Sequence, residues 1–251
     1  MSGALPIPIL AFAEIDSTNA EARRRADAGA VEPVWITAKR QTAGRGRRGR
    51  PWSTEIGNLA ATLLTFTDKP PVEAAQVAFV AALAIADLFD AYVPANLVTI
   101  KWPNDVLIDG LKASGILIES GSRADGSLWL AIGCGLNLNH APINTERPAT
   151  RVADHLRHDV VRAPKVDEAM AAFAPLFAAR LEQWERQGFA AVAADWTRRA
   201  DSLGKPCTAR LGTETVYGIA EGLEPDGALR LRLDTGETRK ITAGDVFFET
   251  A

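Results

Sequence analysis

The feature that most constrains the fold is a long apolar segment that follows Pro70-Pro71. Residues 72–92 (VEAAQVAFVAALAIADLFDAY) are rich in alanine and predict one helix that is apolar on most of its surface. Such a helix has to be buried, and short strand-like runs on both sides of it indicate that a sheet covers it. Strands are predicted over residues 7–14, 34–39, 58–66, 97–101, 105–109, 113–119 and 128–139. We therefore expect an α+β fold.

Turn and cap residues place the other elements. Ser17 and Thr18 are N-cap residues for a helix that has Glu21 in its first turn and Gly29 at its end. Asp109-Gly110 is a hairpin turn signal between two predicted strands, and helical patterns return over residues 165–200.

The composition changes at residues 204–206 (GKP), after which the chain consists of short alternating runs. Turn residues at 224–227 (EPDG) and 234–236 (DTG) separate these runs. The pattern predicts a small β-barrel. We therefore expect two domains, with residues 1–203 in the first and residues 204–251 in the second.

Charge and composition exclude several classes of protein. A net charge of -3 and a pI of about 5.7 argue against a strongly basic surface for nucleic acid or membranes. Cys134 and Cys207 predict neither a disulfide framework nor a zinc site, and His140, His155 and His158 show no metal-ligand spacing. The N-terminus does not resemble a secretory signal, and no apolar run reaches the ~18 residues of a membrane span. We expect a soluble, cytoplasmic protein.

The most unusual segment is residues 40–53, which we call the Gly/Arg loop. Residues 39–50 contain no acid but six cations: Lys39, Arg40, Arg45, Arg47, Arg48 and Arg50. Glycines let a backbone approach a ligand closely, and arginines donate paired hydrogen bonds to carboxylate or phosphate oxygens. The pattern predicts a mobile loop that becomes ordered over an anionic ligand.

Three other interpretations of the Gly/Arg loop stay open. The composition is also typical of a solvated basic loop, and of segments that bind RNA or single strands, although the acidic pI disfavours nucleic acid. Gly44, Gly46 and Gly49 match the GxGxxG spacing of dinucleotide-binding folds. That motif requires a helix to begin at the glycines, whereas Pro51-Trp52 and a predicted strand follow here.

Three later segments place polar groups at strand ends. Lys101 and Asp105 flank a proline in a rigid turn, which suits either a nucleotide–Mg²⁺ site or a local salt bridge. Lys112 opens an apolar run whose next residues are small enough to leave room for a ligand. Asn137 and Asn139 share one face of a strand whose glycines would let a ligand approach the backbone. The same pattern is also typical of a core strand that is weakened by glycine and polar at its ends.

Four segments together resemble the biotin–protein ligases. They are QTAGRGRRGRPW (41–52), KWPNDV (101–106), KASGILIE (112–119) and GCGLNLN (133–139), and STN (17–19) matches as well. The resemblance covers about residues 10–250. It implies a mixed central sheet with packed helices, the class II synthetase-like biotin–lipoate ligase fold, followed by an SH3-like β-barrel. The catalytic pattern starts by about residue 10, as expected for the short form without an N-terminal DNA-binding domain.

The resemblance implies a role for each matching residue. The biotin-binding set is Ser17, Thr18, Asn19, Gln41, Arg45, Gly46, Arg47, Lys112 and Gly115. The ATP-binding set is Lys101, Asn104, Asp105, Asn137 and Trp52, of which Trp52 also helps the closed loop to pack. The catalytic set is Lys112, Arg45, Arg47, Lys101 and Asp105. Asp105 is in addition the implied metal ligand and a candidate base.

The implied reaction joins two anions. ATP, with Mg²⁺, converts biotin to biotinyl-5'-AMP, and the biotinyl group passes to a lysine of a biotin carboxyl carrier protein, such as that of acetyl-CoA carboxylase. Cations offset the repulsion between the carboxylate and the α-phosphate. We expect no DNA or membrane partner, and the resemblance allows a homodimer through edge strands. The alternatives are a lipoate or octanoate ligase or transferase, and a non-enzymatic regulator that binds biotinyl-AMP.

Overall fold

A computed structural model describes residues 7–143, 145, 148–201, 203–211 and 214–248. Within these residues the chain forms a seven-stranded sheet, a five-stranded sheet and five α-helices. This architecture confirms the predicted α+β class. The predictions that fall on residues 1–6 and 249–251 lie outside the described residues.

The central sheet has the strand order β1-β2-β3-β7-β6-β5-β4. Its strands are β1 (Ile9–Phe12), β2 (Val34–Ala38), β3 (Leu59–Thr67), β4 (Val98–Lys101), β5 (Asp105–Ile108), β6 (Leu111–Ser122) and β7 (Leu128–Leu136). Strand β1 runs parallel to β2 and all other neighbours are antiparallel, so the sheet is mixed, as the resemblance implied.

One predicted strand ends earlier than expected. Strand β7 stops at Leu136, although its pattern extends to residue 139. The reason is Asn58, whose Oδ1 accepts the backbone N–H groups of residues 138, 139 and 140 at 3.0 Å each. Those three groups therefore bond to one side chain and not to a neighbouring strand.

The predicted helices form, but the long apolar one is divided. Helix α1 (Thr18–Asp27) begins after Ser17, whose hydroxyl accepts a hydrogen bond from Ala20 N at 3.4 Å. Residues 72–92, expected as one helix, contribute to α2 (Pro71–Ala74) and α3 (Val77–Asp90). Helices α4 (Val166–Gln187) and α5 (Phe189–Arg199) are separated by Gly188, whose φ is +75°.

The α2–α3 segment is the part of the described chain that most resembles a membrane span in length and composition. Residues Pro71–Asp90 have a mean hydropathy of 1.8 and are long and apolar enough to cross a membrane by length and composition. Glu73, Gln76 and Asp87 interrupt this segment, so it is not one continuous apolar run, although its average hydropathy is high. Inside the protein 72% of the segment's most apolar window is buried, which is how a core helix behaves.

Alternation along β7 divides the central sheet into two faces. Ile132 and Cys134 point into the core that is formed with α3 and α4. Ala131 points to the opposite face, which α1 covers in part. Gly133 and Gly135 continue that second face, with Gly133 beneath Asn19 at the start of α1 and Gly135 beneath Trp52. The sheet therefore presents a glycine surface at the point where its helix cover ends.

The C-terminal sheet has the strand order β11-β10-β9-β8-β12 and is antiparallel throughout. Its strands are β8 (Pro206–Arg210), β9 (Thr215–Leu223), β10 (Leu229–Arg232), β11 (Thr238–Ile241) and β12 (Asp245–Phe248), at the predicted places. Its apolar side chains join the core of the central sheet, and Trp102 Nε1 donates to Gly227 O at 3.0 Å. The division into two domains at residues 203 and 204 stays a prediction.

Candidate active site

A cleft of about 510 Å³ opens on the glycine surface of the central sheet. Strands β6 and β7 form its floor, the start of α1 forms one end, the Gly/Arg loop covers it, and β12 borders it. Segments that are distant in sequence meet here, and the cleft has the size of a small-molecule site. The predicted site residues that line it are Ser17, Thr18, Asn19, Gln41, Arg45, Gly46, Arg47, Trp52, Asn104, Asp105, Lys112, Gly115 and Asn137.

Glycines in the floor let Trp52 lie directly against the sheet. A methyl group at Gly135 would be 2.3 Å from Trp52 Cε2, and one at Gly115 would be 2.9 Å from Trp52 Cζ3. Carbon atoms in contact are usually ~3.5–4.0 Å apart, so neither position accommodates a side chain. Lys112 Nζ lies 5.7 Å from the centre of the same ring. The indole thus closes the cleft from the side of the loop.

A network of amides and hydroxyls forms one end of the cleft. Gln41 Oε1 accepts hydrogen bonds from Thr18 N at 2.8 Å and from Thr18 Oγ1 at 3.1 Å. Thr62, which is fully buried, has its hydroxyl 2.8 Å from Thr18 Oγ1 and 2.7 Å from Asn19 Oδ1. Asn19 Nδ2 donates to Glu119 Oε2 at 2.8 Å. These bonds fix mostly neutral donors and acceptors in place, as recognition of an uncharged polar ring requires.

An ion pair forms the centre of the cleft. Lys112 Nζ lies 2.6 Å from Asp105 Oδ1, and 7% of the Asp105 side chain is exposed against 27% of Lys112. The buried acid therefore holds the more accessible cation in place. The backbone of Lys101 lies opposite that of Asp105 in the β4–β5 hairpin, but the side chain of Lys101 points elsewhere. Its Nζ lies 5.9 Å from the ring centre of Phe247. Of the predicted site residues, Lys101 alone does not line the cleft within the described residues.

Acids from other elements form ion pairs with arginines of the Gly/Arg loop. Arg45 Nη2 lies 3.2 Å from Glu119 Oε1 of β6. Arg48 and Arg50 both pair with Asp245 of β12, at 3.0 and 2.9 Å. The charge of the loop is thus offset in part by distant parts of the chain, and the loop is docked over the cleft, unlike a freely solvated basic loop.

Arg47 points into the cleft. Its Nη1 donates to Asn104 Oδ1 at 3.2 Å and its Nη2 donates to Gly244 O at 3.2 Å. Burial lowers the pKa of Arg47 below its ordinary value, and the charges of Asp245 and Asp105 oppose this shift. Arginine nevertheless keeps its proton in proteins. Both hydrogen bonds go to neutral oxygen atoms, which leave the positive charge of Arg47 without a negative partner in direct contact in the part of the chain that the structure describes. An anionic ligand in the cleft would supply that negative charge.

The loop does not have the form of a dinucleotide-binding turn. Arg47–Gly49 makes a single turn of 3-10 helix, and within the described residues the chain then continues to β3 without a further helix. A pyrophosphate site of that class needs the N-terminus of a helix at the glycines. The structure therefore excludes this interpretation, which the residues after the glycines already disfavoured.

Sequence reasoning missed four residues that support the site: Thr54, Thr62, Glu119 and Asp245. Thr54 accepts a hydrogen bond from Gln41 Nε2 at 2.9 Å, and the contacts of the other three are given above. Only Glu119 carried a signal, because it ends the KASGILIE segment. The others lie in ordinary strand or loop patterns, and only their partners in the folded chain reveal them.

Comparison with known proteins identifies the family. Residues 12–139 match the profile of the Biotin/lipoate A/B protein ligase family, and residues 202–249 match that of the Biotin protein ligase C terminal domain. The chain belongs to the biotin/lipoate A/B protein ligase family. The family match confirms the resemblance found in the sequence.

The ligase resembles two known proteins in sequence and one solved structure in fold. It is 42% identical, over 94% of its length, to the biotin–[acetyl-CoA-carboxylase] ligase of Paracoccus denitrificans, of which it covers 99%. It is 32% identical to the bifunctional ligase/repressor BirA of Bacillus spizizenii, over 92% of its own length and 71% of BirA. The biotin protein ligase of Aquifex aeolicus in complex with biotin and ATP shares its fold, with a TM-score of 0.77 at 22% identity, over 97% of this ligase and 99% of that chain.

Proposed function

We propose that this protein uses ATP to activate biotin as biotinyl-5'-AMP and transfers the biotinyl group to a lysine of a biotin carboxyl carrier protein, such as that of acetyl-CoA carboxylase. The observation that carries the proposal is the cleft, where a polar end and a cationic centre share one glycine floor. Biotin has the same division, since a neutral ureido ring lies at one end of the molecule and a carboxylate at the other.

The polar end would hold the ring system through Ser17, Thr18, Asn19 and Gln41, with Thr62 behind them. The bonds among these side chains fix their orientation before a ligand arrives. A site built to hydrogen-bond a substrate rejects an analogue without those groups, by about 10⁴-fold in strong cases, because buried polar groups are then left unpaired. Lipoate and octanoate lack the ureido group, so the polar end favours biotin over both.

The cationic centre would assist adenylation. The biotin carboxylate attacks the α-phosphorus of ATP and pyrophosphate leaves, so two anions must approach each other. Lys112, Arg45 and Arg47 would offset this repulsion, and preorganised cations in a partly closed site do so without having to rearrange. Asp105 would orient Lys112 through the 2.6 Å ion pair.

The ATP side is proposed to lie near Asn104 and Asn137, with Lys101 farther away. Asn104 Nδ2 donates to Ile116 O at 2.7 Å and Asn137 Nδ2 donates to Thr150 O at 3.0 Å, so both amides are held in place. Lys101 reaches the site only if it moves away from Phe247 or acts through its charge at longer range.

A magnesium ion fits this site as an ion carried largely by the nucleotide. The described residues contain no group of three or more His, Cys, Asp or Glu that could hold a metal by itself. Mg²⁺ commonly binds one or two carboxylates together with substrate phosphates. Asp105 would hold it beside the phosphates, where the ion would neutralise part of their charge.

Transfer would then require only positioning and protection. The carrier lysine attacks the acyl carbon of the mixed anhydride, and AMP leaves with the phosphate oxygen. Asp105 would orient or deprotonate that lysine, and Trp52 and the Gly/Arg loop would keep water from the anhydride. The cytoplasm is the proposed location, and the homodimer stays a prediction.

Biotin-dependent exchange of labelled pyrophosphate into ATP tests the proposal. We expect exchange with biotin and Mg²⁺, little with lipoate or octanoate, and a mass increase of a carrier protein when it is added. Exchange with lipoate or octanoate alone would assign the chain to the other branch of its family. A protein that binds biotinyl-AMP without any exchange, and that shifts DNA in a gel, would instead be a regulator.

A further inference from the structure

The tip of the Gly/Arg loop is bound to the C-terminal sheet by one carboxylate. Arg48 Nη1 lies 3.0 Å from Asp245 Oδ2, and Arg50 Nη2 lies 2.9 Å from Asp245 Oδ1. Each carboxylate oxygen therefore has its own guanidinium. The Asp245 side chain is 14% exposed, whereas those of Arg48 and Arg50 are 44% and 42% exposed. The acid is thus the fixed half of the contact.

Backbone carbonyls of the same sheet extend this contact. Arg47 Nη2 donates to Gly244 O at 3.2 Å, and Arg48 Nη2 donates to Arg210 O at 3.4 Å. Asp245 lies opposite Arg210 in the backbone register of strands β12 and β8, so the acceptors lie side by side at one end of these two strands. Three arginines of the loop therefore dock on a single rigid surface.

The internal bonds of the loop connect this contact to the cleft. Gly46 N donates to Arg50 O at 2.7 Å, and Trp52 N donates to Gly44 O at 2.9 Å. These bonds fold the loop back on itself, so its tip and its base move together. A tip that is held by Asp245 therefore keeps Trp52 against the floor of the cleft.

We propose that Asp245 is a positioning residue that latches the Gly/Arg loop over the cleft, so that the C-terminal sheet controls how long the activated acyl group is retained. This inference rests on the proposed function for the nature of the ligand, while the latch itself follows from the contacts. A partly exposed ion pair is weak alone. Two such pairs on one carboxylate correspond to about a 2- to 30-fold change in the retention of a ligand.

The test compares Asp245→Asn with wild type, because the amide keeps the shape and removes the charge. We expect biotinyl-AMP to leave preloaded Asp245→Asn protein about 2- to 30-fold faster, with a raised KM for biotin and a nearly unchanged kcat. Trypsin should also cut the loop arginines faster, even without ligand. Asp245→Glu should restore part of the retention because it restores the charge.

Glu221→Gln is the matched control, since Glu221 pairs with Arg232 at 2.6 Å on the same sheet. It should leave retention and cleavage unchanged. Adding Arg48→Gln to Asp245→Asn should have a smaller effect than Arg48→Gln alone, because the charged partner is already lost and only the bond to Arg210 O remains. Should Asp245→Asn fail to fold in a thermal melt, Arg48→Gln and Arg50→Gln carry the retention test from the loop side.

Wild-type retention together with wild-type tryptic cleavage in folded Asp245→Asn would overturn the latch. So would fully additive effects of Arg48→Gln and Asp245→Asn, because they would show that the two side chains act separately. If the wild-type protein makes no biotinyl-AMP, the proposed function fails, whereas the tryptic comparison still decides whether Asp245 holds the loop.

Discussion

A single methyl group at Gly135 should prevent the Gly/Arg loop from closing. Gly135 lies in strand β7, in extended backbone that alanine also adopts, so Gly135→Ala should cost the fold little. The new carbon would be 2.3 Å from Trp52 Cε2, 2.4 Å from Cζ2 and 2.5 Å from Nε1. Because carbon contacts begin at ~3.5 Å, the indole has to withdraw by about 1.2 Å or more.

The magnitude follows from the area that this withdrawal exposes. A tryptophan buries on the order of 150–250 Å² when it is fully covered. Trp52 is half-buried, so roughly 100 Å² of contact is at stake. At ~25 cal/mol per Å² this corresponds to about 2.5 kcal/mol, or roughly 60-fold faster loss of a ligand from beneath the loop.

The assay follows the release of labelled biotinyl-AMP from preloaded protein after a chase with unlabelled biotin and ATP. Trp52→Ala is the matched control, because it removes the partner of the clash. Gly135→Ala should then have no further effect in the Trp52→Ala background. Release at the wild-type rate by folded Gly135→Ala protein would refute the reasoning, and a thermal melt establishes that the variant is folded.

Three further predictions concern other parts of the site and core. Lys112→Ala should slow pyrophosphate exchange by about 10²–10³-fold in protein that a thermal melt shows to be folded, because the lysine stabilises the developing charge; exchange at the wild-type rate would contradict this role. Thr62→Val should raise the KM for biotin by about 5- to 100-fold at constant kcat, because the loss of a buried hydroxyl leaves its partners unpaired; an unchanged KM would show that the hydroxyl does not support the polar end. Burial raises the pKa of Cys134 to about 12 and of Cys207 to about 11, from an ordinary 9.0. Neither thiol should react with a thiol reagent at about pH 8 until the protein is unfolded. The free energy of unfolding should be unaffected below the unfolded pKa and should fall as pH rises above it, since the unfolded chain ionises first; rapid labelling of the native protein would contradict both statements.

Local patterns were enough to place the strands and most of the site. The hairpin at Asp109-Gly110 was predictable because these residues favour the left-handed backbone that they adopt, with φ of 52° and 73°. The site motifs were predictable because each is a short contiguous segment. The break between α2 and α3 was not, since residues 75 and 76 continue the helical composition without interruption.

Pairings across the chain could not be predicted in the same way. Arg48 and its partner Asp245 are separated by 197 residues, and Thr62 and Asn19 by 43. No spacing rule joins such positions, because the fold and not the local sequence brings them together. The sequence could therefore predict a cationic loop, but not the acids that position it.

The continuous apolar core has a consequence for protein engineering. Leu203, at the predicted boundary, packs against this core, and side chains from both sheets, such as Ile132 and Leu229, belong to it. Dividing the chain at that point would expose a large hydrophobic surface on each fragment. A chimera that joins the first segment of one relative to the second segment of another should therefore be less stable than either parent, because the predicted boundary crosses one continuous core.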